Sequence, residues 1–200
     1  PATFDSWAAD DPEPFHAERA AVMERLRDAA AKRIPQPAAL RVARAKARLR
    51  RLIGGPAKPV RLLVVGNANV CRSAFAEELL RRCVPGAEIV SAGTLPLQDR
   101  APPAEAVAAA ADFGVDLSRH RSRSVTPRDL AEATAVIVFD HETARQLRSI
   151  APEAVPLVVR LPDLTGAGDI SGEGISSEFR RISESVKALV GELERRVGAG

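Results

Sequence analysis

The stretch from Arg61 to Cys83 constrains this chain more than any other. Arg61-Leu-Leu-Val-Val65 reads as a short strand, Gly66-Asn-Ala-Asn-Val-Cys-Arg-Ser73 as a loop of small and polar residues, and about Ser73 to Cys83 as a helix. A strand that enters a helix through one tight loop is the first half of a strand–helix–strand unit, the element from which parallel sheets are built. The alternation continues down the chain. Glu88-Ile-Val-Ser91 reads as a second strand, and an alanine-rich helix from about Pro103 to Phe113 ends at Gly114. Thr134 to Phe139 is a third strand, His141 to Ser149 a helix, and Ala154 to Leu161 a fourth strand. A long helix, Glu178 to Val197, closes the chain with Phe179, Ile182, Val186, Leu189, Val190 and Leu193 on its inner side. The expected fold class is α/β, a four-stranded parallel sheet flanked by helices on both faces. Ligands of such sheets bind at the carboxyl ends of strands, which points to residues 66–73.

Ahead of this domain, taken as 59–200, residues 1–58 read as a basic, helical N-terminal extension. Pro14 to Arg33 has Phe15, Val22, Leu26 and Ala30 near helical spacing, and Pro35 and Pro37 interrupt it. A second helix, about Ala38 to Ile53, stops at Gly54-Gly55, with Val42, Ala45, Leu49 and Leu52 as its apolar stripe. Arg41, Arg44, Lys46, Arg48, Arg50 and Arg51 crowd its other faces. The preferred reading is a helical hairpin packed on the domain with a solvated basic face. The other is a basic arm for an acidic protein partner, an anionic membrane or a nucleic acid. No aromatics interleave with those arginines, so nucleic acid is not the expected partner.

Composition narrows the rest. Tyrosine is absent and aromatics are 4% of the chain, so the core is aliphatic. No apolar run approaches the roughly 20 residues of a membrane span, and the opening PATFDSWAADDPEPF lacks the order of a secretory signal. Cys71 and Cys83 are too few for a disulfide framework and, on one helix, lie roughly 18 Å apart. The expected location is the cytoplasm. His16 and His141 have no metal-ligand spacing, and neither metal nor cofactor is expected.

The loop itself has a chemical reading. Backbone N–H groups of a strand-to-helix loop form a cup, and the helix N-terminus adds partial positive charge, which together suit an oxyanion. Arg72 adds a fork able to hold two phosphate oxygens. Asn67 and Asn69 tolerate unusual backbone angles, and Ser73 is expected as the helix N-cap, with Glu77 one turn on. The anion-binding set is therefore Gly66, Asn67, Ala68, Asn69, Val70, Cys71, Arg72 and Ser73, with phosphate or a phosphorylated group as the expected ligand. The competing reading is a tight turn in which Arg72 serves a structural ion pair.

These residues resemble the phosphate loop of low-molecular-weight tyrosine phosphatases and their arsenate-reductase relatives, Cys-x-Gly-Asn-Ile-Cys-Arg-Ser. Asn69 to Ser73 match its second half, and Ala68 stands in for its glycine. Ser91-Ala-Gly-Thr94, Gly114-Val-Asp-Leu-Ser-Arg-His120-Arg-Ser122-Arg123 and Val136-Ile-Val-Phe-Asp140 resemble further motifs of the family in the same order. The resemblance covers roughly Arg61 to Val197 and implies that family's fold.

It also implies a departure. The family's nucleophile is a cysteine six positions before the arginine, and six before Arg72 is Gly66, which cannot form a phosphocysteine. Cys71 matches the family's second cysteine and is expected as a buried structural thiol. The family's general acid comes from an Asp-Pro pair, absent here; Asp169 is the first candidate, Asp163 the second and Glu173 a weaker third. The expected function is a pseudophosphatase, a phosphate or anion binder that is catalytically dead or repurposed. One alternative is an active tyrosine (phosphomonoester) phosphatase whose nucleophile was exchanged for Gly66. The other is a basic nucleic-acid- or partner-binding module.

Overall fold

In the computed structural model, residues 38–54 and 60–197 are described. Four strands pair in parallel in the order β2-β1-β3-β4: β1 Arg61–Gly66, β2 Glu88–Gly93, β3 Ala135–Val138 and β4 Val158–Arg160. The helices are α1 Ala38–Ile53, α2 Arg72–Cys83, α3 Ala104–Ala111, α4 Pro127–Glu132, α5 His141–Ile150 and α6 Ile175–Val197. Of the two predicted N-terminal helices, the one over 14–33 lies outside the described residues.

Alternating side chains of β1 feed two cores, as a sheet covered on both faces requires. Leu62 and Val64 join a cluster with Leu49, Phe75, Leu80, Phe179, Ile182 and Leu189, under α1, α2, α3 and α6. Leu63 and Val65 join Leu130, Val136, Val138 and Leu147, under α4 and α5. Behind the loop, Phe75 stacks on Phe179 at 4.1 Å between centroids and meets Phe113 edge-on at 5.3 Å. The chain leaves β1 for β2 on one side and places β3 on the other, so the loop after β1 lies at a topological switch point.

The predicted second helix forms over exactly the residues ended by the Gly54 signal, and it packs on the sheet domain. Leu49 and Ile53 are buried, and Arg50 pairs with the buried Glu192 of α6 at 2.5 Å. Arg48 donates to the Val155 carbonyl and Arg41 to that of Gly166. Much of its basic face is thus spent on the domain itself. Among the described residues no helix is long and apolar enough to cross a membrane.

Three local expectations shift. The fourth strand shrinks to Val158–Arg160, because Pro152 and Pro156 turn the preceding residues into a 3-10 helix. The last helix begins at Ile175, three residues earlier than predicted. The sequence reading missed α4, although Thr126-Pro-Arg-Asp129 carries its start signal: the Thr126 hydroxyl and Asp129 carboxylate form a capping box, with Pro127 at the first helical position.

Asp129 also receives a two-pronged bond from Arg123, at 2.8 and 3.0 Å. Burial pushes its carboxyl up, but Arg123 and Thr126 outweigh that and hold it below the ordinary carboxylate range. A lowered folded-state pKa stabilises above the unfolded value and loses that contribution as pH falls through the folded one. Asp129→Asn is therefore expected to destabilise the domain by about 1 kcal/mol at neutral pH and to narrow the difference below about pH 4. Urea midpoints of both proteins across that range check it.

Candidate functional site

The loop begins where β1 ends and closes where α2 begins. Gly66 to Ser73, with Ile175 and Glu178 of α6, line a cavity of about 210 Å³. The amides of the first helical turn have no intrahelical acceptor, and such a helix end carries partial positive charge. All eight residues of the predicted anion-binding set line it.

Asn69 holds the loop. Its φ of 54° is left-handed, a conformation asparagine tolerates better than most residues. The side chain is 2% exposed. Its amide donates to Ser91 at 2.7 Å and Ser73 at 3.1 Å, and its oxygen accepts from the Arg123 backbone at 3.0 Å. Its own carbonyl meets the His120 ring at 2.7 Å. The Ser91 hydroxyl passes on to Glu77 at 2.6 Å. His120 is thus a structural residue bonded to the loop.

Gly93 lets β2 come this close: a Cβ there would lie 2.5 Å from the Asn67 carbonyl oxygen. Gly66 differs. Its φ is not in the left-handed region, and a Cβ would meet chiefly the Ser73 hydroxyl at 3.0 Å. Conformation therefore does not demand glycine at position 66.

Ser73 is not the N-cap that was expected. Cys71 holds that position without a side-chain cap bond, while the Ser73 hydroxyl, 1% exposed as a residue, turns to Asn69. Cys71 is half-buried and free. Burial pushes its thiol up and Glu178 adds to the push, with Arg72 opposing, so the thiol stays protonated at neutral pH.

Arg72 combines the two readings the sequence offered. Its Nη1 donates to Asp140 at 2.6 Å and to the Ile170 carbonyl at 2.7 Å, an ion pair of the structural kind. Its Nε lies 3.8 Å from Glu178, which also lines the cavity. One nitrogen anchors the guanidinium, and the residue also lines the cavity. Asp140 is fixed in turn as the N-cap of α5, accepting from the Thr143 amide at 2.6 Å.

The candidate acids lie elsewhere. Asp169 accepts from the His141 amide at 3.1 Å, contacts its ring at 2.9 Å and pairs with Arg160. Partial burial pushes the Asp169 carboxyl up, but His141 and Arg160 outweigh it and hold it below the usual carboxylate range. Asp163 bonds the same Arg160, at 3.0 Å from its Nε. Glu173 pairs with Arg181. None of the three lines the loop cavity; the carboxylate that does is Glu178, which sequence reasoning passed over. The only sign of it was its place just before Phe179, on the helix expected to close the fold.

Comparison with known proteins agrees with this fold. The family model described as low molecular weight phosphotyrosine protein phosphatase matches residues 61–199. The low molecular weight protein-tyrosine-phosphatase Etp of Escherichia coli K12 is 31% identical over 134 residues, 67% of this chain and 87% of that protein. The probable low molecular weight protein-tyrosine-phosphatase EpsP of Ralstonia nicotianae is 29% identical over 138 residues, 69% of this chain and 91% of that protein. Among solved structures, Vibrio vulnificus Wzb in complex with benzylphosphonate is 25% identical with a TM-score of 0.64, covering 68% of this chain and 99% of that one. The tyrosine phosphatase Wzb of Escherichia coli K30 in complex with sulphate is 26% identical at the same TM-score and coverage.

Proposed function

The chain belongs to the low molecular weight phosphotyrosine protein phosphatase family, and on that premise we propose that its loop binds a phosphoryl group or similar anion without covalent turnover, as a pseudophosphatase. The observation that carries this reading is Gly66, six positions before Arg72, where the loop resemblance implies the family's nucleophile, and no other side chain lining the cavity is placed to take over. Cys71 is a protonated, half-buried thiol, and six residues beyond it lies Glu77 rather than an arginine. Ser73 lies inside the helix, where its hydroxyl accepts from the Asn69 amide. The binding parts remain: the amide cup, the α2 N-terminus and an anchored Arg72. The ligand is an anionic, phosphate-like group carried by a phosphorylated molecule.

A second reading, an active phosphomonoester phosphatase whose natural residue 66 is cysteine, is favoured by one observation: the Gly66 backbone does not require glycine. The codon in the source gene separates the two.

Calorimetry with phosphate and vanadate, beside hydrolysis of an aryl phosphate, tests the main reading. The expected result is anion binding without turnover, weakened at least about tenfold in Arg72→Ala, which loses a charge-assisted contact. Turnover by the unaltered chain, or no binding at all, would overturn it.

A further inference from the structure

A second, larger cavity of about 500 Å³ lies behind the loop, walled by α2, β2 and the segment 116–123. Five arginines and three carboxylates line it. The pairing inside is uneven. Arg81 is taken by Glu77 and Glu78, both at 2.5 Å, and Arg123 by Asp129. Arg82, Arg119 and Arg121 have no salt-bridge partner among the described residues. The remaining wall carboxylate, Asp116, accepts from the Ser118 amide at 2.8 Å and feels the charge of Arg119 without forming an ion pair with it.

We propose that this cavity is a second anion site, built for a small oligophosphate and coupled to the loop through Asn69. Guanidinium forks spread over a concave wall match several phosphoryl groups at once. Among the lining residues the guanidinium groups dominate and neither Phe nor Trp is present, so the phosphates are the recognised part.

The coupling rests on shared walls. Asn69 lines both cavities. His120 and Ser91, on the second wall, bond Asn69 directly, and Ser91 links to Glu77, the partner of Arg81. An anion that draws Arg81 away from Glu77 alters the bonds that hold the loop. By linkage, each ligand then changes the affinity of the other by one factor. The binding half of the proposal is independent of the loop's own function, and the coupling half rests on it.

Inorganic triphosphate is the probe, titrated by calorimetry at fixed ionic strength into four proteins: the unaltered chain, Arg82→Ala/Arg119→Ala, Arg72→Ala and, as a surface control, Arg148→Ala. Both arginines of the double variant are exposed, so folding is expected to survive, and circular dichroism checks it. The expected result is binding retained in Arg72→Ala and Arg148→Ala and weakened about tenfold or more in the double variant. Loss in Arg72→Ala with retention in the double variant would place triphosphate in the loop and overturn the second site. Equal weakening in Arg148→Ala, or no binding anywhere, overturns it too. For the coupling, saturating triphosphate is expected to change phosphate affinity at the loop by about fivefold in the unaltered chain and not in the double variant. An unchanged affinity, or the same change in both, refutes it. Phosphate binding by the double variant alone reports on the loop reading separately.

Discussion

Gly66→Cys is expected to turn a chain that binds aryl phosphate into one that hydrolyses it, on the order of a thousandfold above background, because removing a nucleophile costs an enzyme at least that much. The site has room. A Cβ at position 66 meets chiefly the Ser73 hydroxyl oxygen, at 3.0 Å, which a small turn about the Ser73 Cα–Cβ bond moves aside by the few tenths of an ångström needed. The hydroxyl accepts from Asn69, so its own proton is free for the new sulfur. That sulfur would sit beside the N-terminus of α2, where a thiol pKa falls below its ordinary value. The gain should depend on leaving group. Asp163 and Asp169 grip Arg160 outside the cavity, so the departing oxygen receives no proton from them. A nitrophenolate should leave readily and an alkoxide poorly, because a positioned acid is worth about a hundredfold or more. Stopped assays with both esters, beside alkylation of the new thiol against pH, test this. A Gly66→Cys protein with an ordinary thiol pKa and no turnover would show that position 66 does not face the anion.

Asn69→Ala is expected to cost about 3 kcal/mol of stability and to weaken anion binding at least tenfold. The substitution removes three side-chain hydrogen bonds and leaves Ser91 and the Arg123 amide short of a partner in a buried setting. It also puts an alanine at φ 54°, which adds about 1 kcal/mol that Asn69→Gly avoids. Urea unfolding of the pair separates conformation from bonding. Equal stability of the two variants would mean that the left-handed backbone carries no strain. Asn69→Gly matching the unaltered chain would mean that the hydrogen bonds are not what holds the loop.

Most of the framework was legible in the sequence because strand and helix periods are local. The helix over 38–53 carries its apolar stripe and its Gly54 stop within its own residues, and β1 is a plain apolar run. The anion-binding set was legible for the same reason: it is one continuous loop. What the sequence hid depends on distant partners. Ser73 lies inside its helix rather than at the cap, and its hydroxyl meets Asn69, which is held in turn by Ser91 some twenty residues away. Nothing in its own loop tells that Asp169, the first candidate acid, lies against His141 and Arg160, with left-handed turns at Gly166, Gly172 and Gly174 around it. Glu178 was hidden because the final helix starts one turn early, which puts its first residues over the loop.

The central place of β1 bears on how the site is lost. A strand hydrogen-bonded on both sides and buried on both faces opens, in hydrogen-exchange terms, only when the domain opens as a whole. The three-residue edge strand β4 and the exposed end of α5 at Ile150 can come apart earlier. The loop hangs between β1 and the buried side of α2, so partial fraying at the β4 edge should leave it able to hold its ligand. A bound anion would then slow exchange of the most protected amides, those of β1 and α2, and leave the fastest-exchanging edge almost untouched.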